Sequence, residues 1–170
     1  MLIRPLAPAD AAAFAALRRV MLADSPWAFS GSVGDDAMLD PAHVADTLAR
    51  PGNAIVGAFD DDGRLVGSAG LYRDRHIKMA HRARVWGVYV APAARGCGVA
   101  RAVLAATLDV ARSWPGITSV GLSASVRSET ARRLYESLGF VAWGREPDTV
   151  VIDGRACDEI HMIKPLGAPR

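Results

Sequence analysis

Apolar and polar positions alternate along the chain in a way that divides it into short elements. Residues 2–6 read as a strand that ends before Pro8. Phe14, Leu17, Val20 and Met21 then recur at spacings of three and four. This is one apolar stripe of a helix, which Asp10 is placed to cap and Ser25-Pro26 to end. Residues 27–38 mix Gly, Ser and paired Asp without a period, as a loop does. Pro41 suits the first turn of a second helix, which carries Val44 and Leu48 and stops before Pro51-Gly52. Two strand patterns, 54–59 and 65–72, flank Asp60-Asp61-Asp62-Gly63, a hairpin turn. A polar, basic stretch at 74–84 reads as a loop, and residues 85–91 are almost uninterruptedly apolar, the mark of a strand covered on both faces. Helical spacing returns over 98–114 through Val99, Val103, Leu104, Leu108 and Ala111. A strand at 117–124 and a helix at 129–138 follow. The last strands are 140–144 and 150–163, the second holding a turn at Asp153-Gly154. Only the middle of the chain alternates strand and helix, so the pattern predicts a mixed α/β fold.

Composition narrows this picture. With 170 residues, of which 51% are hydrophobic, one core and a single domain over 1–170 are expected. Twenty basic against 18 acidic residues leave a net charge of +2, which is no footprint for nucleic acid. Cys97 and Cys157 stand far apart with no ligand spacing around them, so no metal site is expected and a reducing compartment is. No signal-peptide pattern and no run of about 20 apolar residues is present, so a cytoplasmic protein without a membrane partner is the expectation.

The chemistry concentrates after the apolar strand. Val88-Tyr89-Val90 leads through Pro92 into Arg95-Gly96-Cys97-Gly98-Val99-Ala100-Arg101, where a helix opens. A helix N-terminus presents unpaired N–H groups and a partial positive charge, and so suits a pyrophosphate. Gly96 and Gly98 let oxygens approach the backbone, and Arg95 adds a fixed charge. No Walker A loop is present, and Arg101 stands where a dinucleotide fingerprint needs its last glycine. Further on, Ser128-Glu129-Thr130-Ala131-Arg132-Arg133-Leu134-Tyr135-Glu136-Ser137-Leu138-Gly139-Phe140 reads as a helix. Ser128 can cap it, Ala131, Leu134 and Leu138 form its buried stripe, and Gly139 ends it. Tyr135 lies on that buried side.

Arg95-x-x-Gly98-x-Ala100 resembles the (Gln/Arg)-x-x-Gly-x-(Gly/Ala) signature of the GNAT superfamily of N-acetyltransferases. Ala131, Leu134, Tyr135, Gly139 and Phe140 resemble its second motif, in the same order and separation. The likeness covers residues 54–164, and more loosely the first two helices. It implies an α/β (mixed α+β) fold: a twisted, mostly antiparallel sheet of about six or seven strands, flanked by about four helices, with parallel strands splayed at a CoA site.

The activity the resemblance implies is transfer of an acetyl group from acetyl-CoA to a primary amine that attacks the thioester directly, with no metal. Val88, Tyr89 and Val90 would meet the pantetheine arm. The amides of Arg95, Gly96, Cys97, Gly98, Val99, Ala100 and Arg101 would hold the diphosphate, with Ser128 and Tyr135 also at the cofactor. A main-chain N–H near Val88–Val90 would serve the oxyanion, and Tyr135 would protonate the departing thiolate. Ser128 replaces an Asn common in the family, and residues 85–91 lack a carboxylate that many relatives carry. The general base stays open among Glu159, Asp158 and His161 on the last strand, His76 and His81 in the basic loop, and a water chain, with Glu159 as the catalytic candidate. Trp27 and Phe29 would form an apolar wall for the acceptor. Asp24, Asp35 and Asp36 predict a cationic amine there, and His76, Lys78, His81, Arg82 and Arg84 are expected near the 3′-phosphate. The expected partner is a small-molecule or peptide amine, with a homodimer through the late strands expected by family likeness. The alternative reading is a CoA-binding regulatory module, catalytically weak.

Overall fold

A computed structural model describes residues 1–167. The chain builds β1 (Leu2–Pro5), α1 (Ala11–Asp24), α2 (Pro41–Ala49), β2 (Asn53–Phe59), β3 (Leu65–Arg73) and β4 (Arg82–Val90). It continues with α3 (Val99–Ser113), β5 (Ser119–Ser125), α4 (Glu129–Ser137), β6 (Val141–Ile152) and β7 (Arg155–Pro165). The strands form one seven-stranded sheet in the order β1-β2-β3-β4-β5-β7-β6, antiparallel except between β4 and β5.

Helices cover both faces. On one, Phe14 and Met21 of α1 and Val44 of α2 pack against Ile55, Phe59 and Tyr89. On the other, Val103, Leu104 and Leu108 of α3 meet Val56, Leu71, Val120, Leu122 and Met162, with Tyr135 of α4 in the same cluster. Each such side chain, fully buried, contributes about 1.5–3 kcal/mol. The apolar run 85–91 is covered from both sides as its composition requires.

Four expectations change. Strand β4 begins at Arg82, within the stretch read as a loop. Ala83 is buried between Arg82 and Arg84, so an ordinary alternation was hidden by two charged side chains. Strand β6 continues through Pro147 to Ile152, because a bulge between Glu146 and Val150 absorbs the proline, and the hairpin with β7 turns at Asp153-Gly154. Val20 is 48% exposed, and the buried stripe of α1 takes Arg18 instead. Asp10 makes no capping bond to α1, since its carboxylate accepts from the Arg4 guanidinium and the Ala7 N–H.

Arg18 is tolerated inside because Asp36 meets it at 2.5 Å, both side chains being 8% exposed, while its guanidinium lies 5.0 Å from the Phe29 ring. This pair ties the connection between α1 and α2 to α1.

Candidate active site

Strands β4 and β5 pair only at Arg82↔Ser119, Ala83↔Val120 and Arg84↔Gly121, although β4 runs on to Val90 and β5 to Ser125. Beyond Arg84 they diverge, and β5 stays bonded to β7 over its full length. A bulge accompanies the divergence. The register between β3 and β4 slips between Ser68 and Gly70, and Gly87 sits at φ +59°, a conformation that suits glycine. The Ala91 N–H bonds the Val66 carbonyl at 2.8 Å. Strand alternation therefore turns the main-chain groups of Val88 and Val90 toward the gap.

The gap opens into a cleft of about 670 Å³, floored by Val88, Tyr89 and Val90. One end is formed by Gly96, Gly98, Val99, Ala100 and Arg101. Gly96 and Gly98 hold φ of +79° and +78°, which lets the loop turn into α3. Ala102 is the first residue of α3 to donate back, to Gly98 at 3.1 Å. The N–H groups of Val99, Ala100 and Arg101 thus have no intrahelical acceptor and head a 15-residue helix, the arrangement that binds a phosphate. Cys97 is exposed and lies outside the lining.

Arg95 lines the cleft but departs from expectation. Its N–H bonds the Pro92 carbonyl, its Nε donates to Val90 at 2.9 Å, and its Nη2 pairs with Asp24. Its amide is taken, and two of its five guanidinium donors serve Val90 and Asp24, whose carboxylate offsets its charge. Its role is to clamp the loop to the end of β4 and to α1, and the Asp24 carboxyl is held below its usual range chiefly by that guanidinium.

Helix α4 supplies the side wall through Ser128, Ala131, Leu134 and Tyr135. Ser128 precedes α4 but makes no side-chain cap, contrary to the sequence reading, and its hydroxyl is free at the cleft. The C-terminus is as expected: Phe140 donates to Tyr135 and Gly139 to Glu136, a Schellman closure. That closure fixes Tyr135, whose ring packs edge-on at 6.0 Å from Phe140 and is 6% exposed while still lining the cleft. Burial pushes its phenol well above the ordinary value of 10.0, so the group is a protonated donor at neutral pH.

Ser25, Ala28 and Phe29 form the opposite wall. The acidic residues expected to attract a cation there are already engaged. Asp24 is held by Arg95, Asp36 by Arg18, and Asp35 accepts from the N–H and hydroxyl of Ser32. The Tyr89 hydroxyl is buried without a hydrogen-bond partner, and burial followed by the nearby Asp24 carboxylate raises its pKa. Across the cleft, the Arg127 guanidinium lies 4.0 Å over the Trp27 ring. Neither Arg127 nor Arg18 gave a signal in the sequence, because their roles depend on partners in other elements.

The base candidates separate. Asp158 accepts from the Asp148 N–H and from Arg145, which lower its pKa and leave it engaged. His161 donates Nε2 to Glu146 at 2.6 Å beside Trp143, and its Nδ1 is buried without a partner. Glu159 faces Ser125 on one side and Glu146 on the other, half-buried and without an ion pair among the described residues, but outside the cleft lining. His76 and His81 stand at the opposite end of β4, with Lys78 and Arg82. A nine-residue strand separates them from the phosphate end by about 27 Å at about 3.3 Å per residue. Arg84 lies over Gly121, below the divergence. The basic stretch therefore does not reach the diphosphate end. Among the described residues no cluster of His, Cys, Asp and Glu could hold a metal, and no helix is long and apolar enough to cross a membrane.

A family model described as Acetyltransferase (GNAT) family matches residues 17–140. An uncharacterized N-acetyltransferase of Mycobacterium tuberculosis is 35% identical over 107 residues, which are 62% of this chain and 64% of that relative. Two solved structures share the fold, each with a TM-score of 0.85. A ribosomal-protein-alanine N-acetyltransferase from Brucella melitensis is 24% identical over 98% of this chain and 100% of its own. A phosphinothricin acetyltransferase from Sinorhizobium meliloti, in complex with acetyl-CoA, is 22% identical over 98% of this chain and 88% of its own.

Proposed function

Because the chain belongs to the GNAT acetyltransferase family, we propose that it transfers an acetyl group from acetyl-CoA to a primary amine by direct attack on the thioester. The observation that supports this most is the divergence of β4 from β5 beside three unpartnered helix-terminal N–H groups. An extended chain can bond along an open strand edge while its diphosphate is held at a helix end.

In this reading the N–H groups of Val99, Ala100 and Arg101, with the loop glycines 96 and 98, grip the diphosphate. The pantetheine arm bonds the main chain of Val88 and the Val90 N–H, the Val90 carbonyl being occupied by Arg95. The thioester then lies beside Val88 and Tyr135. A neutral amine attacks the carbonyl carbon, and a Val88–Val90 N–H stabilises the developing oxyanion. Collapse breaks the carbon–sulfur bond, and Tyr135 delivers its proton to the departing sulfur. Glu159 is the carboxylate we assign to accept the ammonium proton, through a water, since its oxygens are uncommitted. Ser128, which lines the cleft, gives the arm a hydroxyl contact in this reading.

Calorimetry with CoA and free-thiol release from acetyl-CoA over an amine panel test the reading. Saturable CoA binding together with amine-dependent thiol release is the expected result. Binding without release for any amine would favour the regulatory alternative, and no binding would defeat both.

A further inference from the structure

The charges at the acceptor end are not those the sequence suggested. Asp24 and Asp36 are paired with Arg95 and Arg18, Asp35 accepts only from Ser32, and none of the three lines the cleft. Of the arginines lining the cleft, Arg95 is bound to Asp24 and Val90, and Arg101 donates to Ser137 at the diphosphate end. Arg127 alone lines it with a guanidinium that has no hydrogen bond and no ion pair among the described residues.

Arg127 is also oriented. It stands in the turn between β5 and α4, its N–H bonded to the Ser125 hydroxyl, and its guanidinium carbon lies 4.0 Å from the centre of the Trp27 ring, in the segment that carries the opposite wall. Contact with a ring through the guanidinium carbon restrains the group and consumes none of its five N–H donors. A fork fixed in this way loses little entropy on taking up a planar carboxylate.

We propose that Arg127, presented by Trp27, binds a carboxylate on the acceptor, so that the amine acetylated by this protein also bears an acid group. The inference rests on the acetyl-transfer reading and deepens it. Ammonium and carboxylate of one acceptor would then meet the two uncommitted charges of this region, Glu159 and Arg127, on either side of Ser125.

The test uses matched acceptors, each an amino acid, its primary amide and the corresponding decarboxylated amine, assayed by thiol release with the wild type and with Arg127→Gln. The wild type should favour the acid. In the variant, kcat/KM for the acid should fall about 10- to 100-fold through KM, the scale of a lost charge-assisted hydrogen-bond pair. The amide and the amine should be unaffected, and comparing variant with wild type on each compound cancels differences in amine basicity. Arg127→Lys should recover part of the loss, and Trp27→Leu should reproduce part of it. Equal losses on all three acceptors, or a wild type that turns over only the acid-free amines, overturns the inference while leaving acetyl transfer standing. A fall in CoA affinity in Arg127→Gln also overturns it, by giving the guanidinium to the cosubstrate. Failure of the wild type to bind CoA removes both readings.

Discussion

The wall of the cleft formed by residues 88–101 and α4 presents main-chain groups and a helix end. The wall formed by residues 24–39 is shaped by charge pairs between side chains. On the first, the working parts are amides whose direction follows from a bulge, two left-handed glycines and an unbonded first turn. On the second, Arg18 meets Asp36, Asp24 meets Arg95 and Trp27 meets Arg127, each partner coming from a different element. The first is a local property of a short run of sequence; the second exists only once the chain has closed on itself.

The strongest challenge to this contrast is Asp36→Ala. It leaves Arg18 buried without a counter-charge and should cost about 3–5 kcal/mol of stability, read by chemical denaturation. CoA affinity of the folded fraction should persist, because no amide of the other wall is touched. A parallel loss of affinity would show the two walls to be one unit. Next in size, Tyr135→Phe should lower kcat on the order of 10²-fold with CoA affinity unchanged, measured by steady-state thiol release and calorimetry. Since burial raises the Tyr135 pKa above 10.0, the rate should climb as the amine deprotonates and show no falling limb from this phenol below about pH 10. A limb near neutrality would remove Tyr135 as the donor.

Asp24→Asn should be the mildest change. Its ion pair with Arg95 is 28% exposed on one side and 48% on the other, so the expected loss is under about 1 kcal/mol at neutral pH. The sign in pH is fixed by the lowered carboxyl pKa. The contribution is present above the ordinary carboxyl value and disappears as pH falls through the lower, folded one. Melting curves at pH 7 and pH 3 should therefore differ less for the variant than for the wild type.

Much of the first wall could be read in advance. Gly98 before Val99, the apolar run from Val85, and the Ala131 to Phe140 pattern each carry a local physical demand, and the loop, strand and helix formed where those demands placed them. Reading by type failed where a side chain does something its class rarely does. Arg18 stands outside the apolar stripe of α1 and is core, Val20 stands within it and is exposed, and Arg82 and Arg84 conceal the start of β4. Arg95 reads as a charge beside the diphosphate, and nothing in the sequence hints that Asp24, 71 positions earlier, pairs with it. The acidic loop suggests an affinity for cations, but Asp24 and Asp36 are neutralised by arginines and Asp35 lies outside the cleft lining. Such partnerships leave no period and no spacing in a sequence.

One residue of surplus length in β4 has a consequence for how the cleft could be altered or transplanted. Residues 87 and 88 together oppose Ala69, so taking one of them away would leave Tyr89 and Val90 on the faces they already hold. What would go is the local bend that accompanies the slip, and a straightened strand could run on beside β5. Copying the loop and helix into another scaffold without that extra residue would thus carry over the lettering of the site while its opening zips shut.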